Sequence, residues 1–269
     1  MPFVQSAGAR LHWNSDGTGT PVLLIMGHLY ASAMWYPLLS ALTRSHRAIW
    51  FDNRGTGDSD TTPGVTIEQF AADALAVLDA AGVEKAHVYG VSLGGGIAAE
   101  FAMRYPQRTL SVTLGCTMLK IEKTKLRFRR ILYSLPLGVT RPILDRMMTP
   151  ARYGSAAPRD TALRDIEMLR QNRFTMPGVR AQAEAIAAYA TTRERAANSM
   201  TMPVLVLHGD EDQAVPVEKG RELAAIIPGA RYVEFKGVGH NYLVAANEAS
   251  NKAFIDFIDA VDAANTMER

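Results

Sequence analysis

Three side chains in this sequence are of the types that acyl transfer requires. Ser92 lies in Gly90-Val91-Ser92-Leu93-Gly94, Asp212 in the stretch HGDEDQAVP, and His240 in VGHNYL. A serine hydroxyl is a weak nucleophile until a base takes its proton, and the base needs an acid that orients it. With 21 glycines and 12 serines in 269 residues, a G-x-S-x-G match alone arises by chance in about one chain in fifteen. Its surroundings add weight. The apolar, strand-like run from Ala86 to Val91 precedes it, and a helical segment from Ile97 to Tyr105 follows. A serine at a strand-to-helix turn is forced toward a strained backbone that lifts its hydroxyl above the sheet, and the flanking glycines leave room for the crossing chain. The helix amino terminus behind it presents N–H groups to developing negative charge.

The base and acid must then come from other strand ends. Strand candidates are Val22 to Met26, Arg47 to Phe51, Ala86 to Val91, Leu110 to Leu114, Val204 to Leu207 and Arg231 to Phe235. Continuous apolar runs such as VLLIM and VLVL suit strands buried on both faces of a parallel sheet. The clearest helix runs from Thr66 to Gly82. Thr66 and Gln69 form a capping-box pattern, Ile67, Phe70, Ala71, Ala74, Leu75 and Leu78 form one apolar stripe, and Gly82 ends it. Alternating strands and helices imply right-handed crossovers and an open, doubly wound α/β sheet, with its chemistry at the carboxyl ends of the strands. Asp212 follows the VLVL strand through a short loop, with Asp210 and Glu211 as rival carboxylates. His240 follows the Arg231 to Phe235 strand through a loop containing Gly237 and Gly239. Serine, acid and histidine thus stand in the chain order that such a sheet uses.

The alternation stops between Thr117 and Ser199, where helical segments follow one another with no good strand. The expected organisation is a core of residues 1–116 and 200–269, with residues 117–199 as a helical cap over the strand ends. Between Lys120 and Arg195 there are 16 basic and seven acidic residues, leaving 13 against 20 for the rest, so the overall charge of +2 combines a basic cap with an acidic core. The densest stretch, KTKLRFRR at 123–130, reads as a solvated helix face, or as an attraction for anionic substrates or acidic partners. No base-reading or aromatic-platform spacing points to nucleic acid. No run approaches the roughly 18 apolar residues of a membrane span, and the first residues lack a signal-peptide pattern. The single cysteine, Cys116, cannot form an intramolecular disulfide. A cytoplasmic protein, monomeric or homodimeric, is expected.

The stretches GVSLGG, HGDEDQAVP, GVGH and FDNRGTGDSD together resemble the α/β-hydrolase family, in order and spacing over nearly the whole chain outside the cap. The resemblance implies an eight-stranded, mostly parallel sheet with a helical cap after the sixth strand, a nucleophile at Ser92, an acid at Asp212 and a base at His240. It also implies an oxyanion hole made by the backbone N–H of Leu93 and a second N–H from the loop after the third strand. Family members often carry His-Gly in that loop. Here it reads Met26-Gly27-His28, so the matching donor is the N–H of His28. The His28 side chain would point near the substrate or pack under the cap, or else sit in the loop, partly solvated. Asp52 and Arg54 match the family's structural turn, Tyr30 and Trp35 read as packing residues, and Cys116 reads as a small buried side chain near the pocket floor.

The resemblance is strongest to small-molecule esterases and enol-lactone hydrolases of this family. The expected activity is cleavage of a small carboxylic ester or lactone through a covalent acyl-enzyme, with no metal or organic cofactor. Two alternatives stand beside it: hydrolysis of a carbon–carbon bond in a ring-cleavage product by the same triad, and a ligand receptor that keeps the hydrolase fold. Serine at the nucleophile position speaks against the dehalogenase and epoxide-hydrolase branches, which use aspartate there.

Overall fold

The computed structural model describes residues 2–119 and 150–267, together with Leu135, Gly138, Val139, Pro142 and Ile143. The basic stretch at 123–130 lies outside the described residues. Eight strands form one sheet: β1 (Phe3–Ser6), β2 (Ala9–Asp16), β3 (Thr20–Ile25), β4 (His46–Phe51), β5 (Ala86–Val91), β6 (Thr109–Gly115), β7 (Val204–Gly209) and β8 (Arg231–Phe235). Their spatial order is β1-β2-β4-β3-β5-β6-β7-β8. The pairings involving β1 or β2 are antiparallel and all others parallel.

Alternation along the strands divides the core in two. Leu23, Ile25, Ile49, Val88, Val112 and Val206 face one side and pack on α2 (Ile67–Ala80) and α3 (Leu93–Arg104). Val22, Leu24, Ala48, Tyr89, Leu205 and Leu207 face the other, against α1 (Tyr36–Leu42) and α9 (Asn247–Met267). Both faces of the sheet are therefore dry, which is why its strands read as unbroken apolar runs. Thr66 caps α2 as its spacing predicts, accepting the Gln69 N–H at 3.2 Å. The Gln69 side chain, however, turns to Asp73 at 3.1 Å. Asp73 is fully buried and is held by Arg54 through two bonds of 2.6 and 2.7 Å, so the FDNRGTGDSD turn is pinned to α2.

Between β6 and β7 the described helices are α4 (Arg159–Arg170), α5 (Met176–Ala188) and α6 (Arg193–Ser199), preceded by a 3₁₀ turn at Pro150–Tyr153. This segment is bonded to the sheet layer at several points. Glu100 of α3, wholly buried, receives Arg195 at 2.8 Å through each oxygen, Arg104 at 2.5 Å and the Tyr189 hydroxyl at 3.0 Å. Burial alone would raise that carboxyl, but the two guanidiniums hold it below its ordinary range. α7 (Val217–Ile226) and the short α8 (Tyr242–Ala245) complete the set. Among the described residues no helix is long and apolar enough to cross a membrane.

The start of α3 is seated directly on β3. A Cβ at Gly94 would strike the carbonyl oxygens of Ile25 and Met26, whereas one at Gly96 would meet nothing outside the helix. The two glycines should therefore respond in opposite directions. Gly96→Ala is expected to stabilise by about 0.5–1 kcal/mol through helix propensity. Gly94→Ala is expected to destabilise by about 1–3 kcal/mol through overpacking. Urea unfolding of the two variants measures both.

Candidate active site

Every expected site residue lies at the carboxyl end of a parallel strand. The chain crosses from β4 on one side of β3 to β5 on the other, which makes the ends of β3 and β5 the switch point of the sheet. The Gly27–His28 loop follows β3, and Ser92 follows β5.

Ser92 has φ 55° and ψ −116°, a conformation that side-chain-bearing residues rarely hold. Its backbone is bonded on both sides: its N–H donates to Gly115 at 2.8 Å, and its carbonyl accepts Gly95 and Gly96 N–H and the Thr117 hydroxyl. Two glycines make the fit. A Cβ at Gly90 would strike the Gly94 carbonyl, and one at Gly27 would lie 3.3 Å from the Ser92 Cβ. From Ala86 to Met103 every residue is buried except Ser92. Leu93 is the first residue of α3, so its N–H belongs to the free end of that helix.

His240 is brought to Asp212, its Nδ1 2.7 Å from Oδ2. Since the carboxylate only accepts, Nδ1 carries the proton of this bond, and in a neutral ring the lone pair then falls on Nε2. The neighbouring carboxylates are committed elsewhere. Asp210 accepts the Gly237 and Val238 N–H groups at 2.7 and 3.3 Å and thereby shapes the histidine loop. Glu211 accepts the N–H and hydroxyl of Ser155. Asp212 accepts Ala214 and Val215 N–H through Oδ1 at 2.8 and 2.9 Å. Burial opposes its charge, yet His240, His208 and the Val215 N–H together hold its carboxyl well below the usual range.

In the second loop His28 takes one of the places expected for it, against a helix of the segment between β6 and β7. The His28 side chain is half-buried, and its Nε2 lies 3.1 Å from the Val179 carbonyl on α5, so it binds the helix above it. Leu29 has φ 78°. Its N–H donates to Gln182 at 3.2 Å and its carbonyl accepts Asn172 at 2.6 Å, while Asn172 also accepts the Ala31 N–H at 2.7 Å. Gln182 in turn donates to the Arg54 carbonyl at 2.9 Å. Neither Asn172 nor Gln182 carries a motif in the sequence. Their importance follows only from the left-handed backbone they hold.

Beneath the site Tyr242 reaches Tyr89 of β5, the two hydroxyls 2.6 Å apart, and Trp35 packs against Tyr89 at 5.0 Å between ring centres. Asp52 accepts His12, Asp58 N–H, and the N–H and hydroxyl of Ser32, which fits a structural turn. Cys116 is buried with φ 38°, and burial pushes its thiol up, which keeps it protonated. Its sulfur and ligand atoms of Asp212 and His240 lie within 4.8 Å of one another, as do those of His12, Asp52 and Asp58. In each group a histidine–carboxylate hydrogen bond joins two of the three residues.

The comparisons agree with this architecture. A family model described as alpha/beta hydrolase fold matches residues 20–244. RutD of Azorhizobium caulinodans, whose name assigns it provisionally as a carbamate hydrolase, is 30% identical over 272 residues, covering 97% of this chain and 100% of RutD. The rhodomycin D methylesterase DauP of Streptomyces sp. strain C5 is also 30% identical, covering 87% of this chain and 89% of its own. Among solved structures, the enol-lactonase from Burkholderia xenovorans LB400 superposes with a TM-score of 0.86 at 28% identity, covering 96% of this chain and 100% of the enol-lactonase. The sheet order, the turn at Ser92 and the length of these matches together make this chain a member of the α/β-hydrolase fold family.

Proposed function

We propose that this chain is a serine hydrolase that cleaves a small carboxylic ester or lactone through a covalent acyl-enzyme. The observation that carries the reading is the 2.7 Å bond from His240 Nδ1 to Asp212, formed at the same edge of the sheet as the strained, half-exposed Ser92. Resemblance to an enol-lactonase and a methylesterase supports the ester or lactone class.

In this mechanism His240 Nε2 takes the Ser92 proton as Oγ attacks the carbonyl carbon. The tetrahedral oxyanion is held by the N–H groups of Leu93 and His28. Collapse expels the alkoxide, which takes the proton back from His240, and leaves the acyl group on Oγ. Water, deprotonated by His240, then attacks the acyl-serine and releases the acid. Asp212 keeps Nδ1 protonated and stabilises the imidazolium in both steps. Residues 117–199 act as a cap in this reading, with Asn172, Gln182 and Val179 holding the loop that donates the second oxyanion bond.

Ser92→Ala is expected to lower kcat on an activated ester by at least about 10³-fold and to abolish labelling by a fluorophosphonate, with unfolding unchanged. Full turnover in that variant would sink the mechanism. The acid can be assigned separately: Asp212→Asn should cost about 10⁴-fold in kcat, while Glu211→Gln, whose partner is Ser155, should stay within about threefold. Equal losses in the two would overturn the assignment.

Steady-state kinetics on a panel of short esters, lactones, carbamates and vinylogous diketones tests the substrate class. The proposal expects multiple turnovers with the highest kcat/KM on an ester or lactone. Preference for the diketones would support the carbon–carbon hydrolase instead. Stoichiometric labelling without turnover would support a receptor.

A further inference from the structure

His208 ends the apolar run of β7 and is wholly buried, four residues before Asp212. Its Nε2 lies 2.9 Å from the Val215 carbonyl and 3.2 Å from Asp212 Oδ2. The Val215 carbonyl accepts, so Nε2 carries a proton and donates it there, with Asp212 Oδ2 close beside the same N–H. The other ring nitrogen, Nδ1, is buried and has no hydrogen-bond partner among the described residues. It faces Gly220 of α7 so closely that a Cβ there would strike it. The ring is thus wedged in one orientation, with Nε2 bonded to Val215 and set beside the acid.

Asp212 Oδ2 consequently has two imidazole nitrogens against it: His240 Nδ1 from the loop after β8, hydrogen-bonded at 2.7 Å, and His208 Nε2 from β7 at 3.2 Å. Oδ1 takes the two backbone donors already described. The backbone pair fixes one oxygen only. The other oxygen lies between His240 and the wedged ring of His208.

We propose that His208 is a positioning residue for the acid: it locks the plane of the Asp212 carboxylate and withdraws part of the charge that Oδ2 presents to His240. The inference rests on the reading of Asp212 and His240 as acid and base. A donor on Oδ2 weakens the pull of the carboxylate on the His240 imidazolium, so its removal strengthens that pull. Acid inactivation, which requires the base to be protonated, then begins at higher pH.

The other groups around His240 do not imitate this effect. Cys116 keeps its proton, because burial pushes its thiol up, and the nearby Arg152 guanidinium keeps its charge. Asp210 and Glu211 are bonded to the Gly237 and Val238 N–H groups and to Ser155. Asp165 lies beyond Asn241, bonded to Tyr153 and Tyr36 at 2.6 and 2.7 Å. Among the described residues no hydrogen bond or ion pair joins any of these to His208.

The test compares kcat/KM against pH for wild type, His208→Leu and His208→Gln on an activated ester, normalised to sites titrated by a fluorophosphonate. His208→Leu is expected to lose about tenfold in kcat and to move the acid limb up by about half a pH unit or more. His208→Gln keeps an N–H near the place of Nε2 and should return the limb to the wild-type position. Gly220→Ala, which pushes on the ring and leaves its chemistry intact, should shift the limb in the same direction as His208→Leu, and it serves where that variant does not fold. A limb that superposes on wild type in folded His208→Leu or Gly220→Ala would overturn the proposal and leave His208 a packing residue. NMR titration of the His240 ring in the same proteins reads the shift without turnover. Loss of ester turnover in wild type would therefore count against the proposed function, while an unmoved titration would count against His208.

Discussion

Everything at the upper edge of this sheet depends on one close approach, that of the α3 amino terminus to β3. The turn at Ser92 has to reverse the chain within a single residue, and it does so at a φ of 55° that costs on the order of 1–3 kcal/mol for a residue with a side chain. It persists because Gly90 and Gly94 let the two arms of the turn touch and Gly94 lets the helix sit on the Ile25 carbonyl. The same absence of a side chain at Gly27 brings the next loop against Ser92. Larger residues at these three places would lift the helix, and with it the N–H groups that face the site.

The loop after β3 shows a second strained element held from outside. Leu29 sits at φ 78°, and the peptides around it are bonded by Gln182 and Asn172, which belong to the segment between β6 and β7. Gln182 also reaches the Arg54 carbonyl in the turn pinned to α2. One amide side chain thus couples the inserted helices, the loop beside Ser92 and the buried Arg54–Asp73 pair. The helices between β6 and β7 therefore help to hold the loop beside Ser92 in shape.

Much of this was legible in the chain because each parallel strand announces itself by burial on both faces. The six strands from β3 to β8 fall within two residues of their apolar runs. β1 and β2 escaped the same reading for a physical reason. Their hairpin turns through Ala7 and Gly8, both at positive φ, and Ala-Gly lacks the Asn-Gly or Asp-Gly signal that marks such turns. Resemblance to the family, and not periodicity, carried the count to eight. At the site, the spacing left Asp210, Glu211 and Asp212 as rivals, since which carboxylate meets the histidine depends on the N–H groups each one caps. The His28 side chain could not be placed either, because its partner is a carbonyl 151 residues away. His208 was in view within HGDEDQAVP, yet a histidine at a strand end has no pattern that reveals a neighbour four residues on.

The donors around Asp212 also separate two kinds of acid sensitivity. A carboxyl held below its ordinary range in the folded state contributes stability above its unfolded value of about 4, and that stability is lost as pH falls through the folded value. Asp212 belongs to this class. It stays charged across the whole interval in which an ordinary imidazole gains its proton. Between pH 5 and 8 the acid loop therefore keeps both its charge and its bonds to Ala214 and Val215. Whatever changes there changes on the histidine side of the 2.7 Å bond, with the carboxylate as a fixed reference charge.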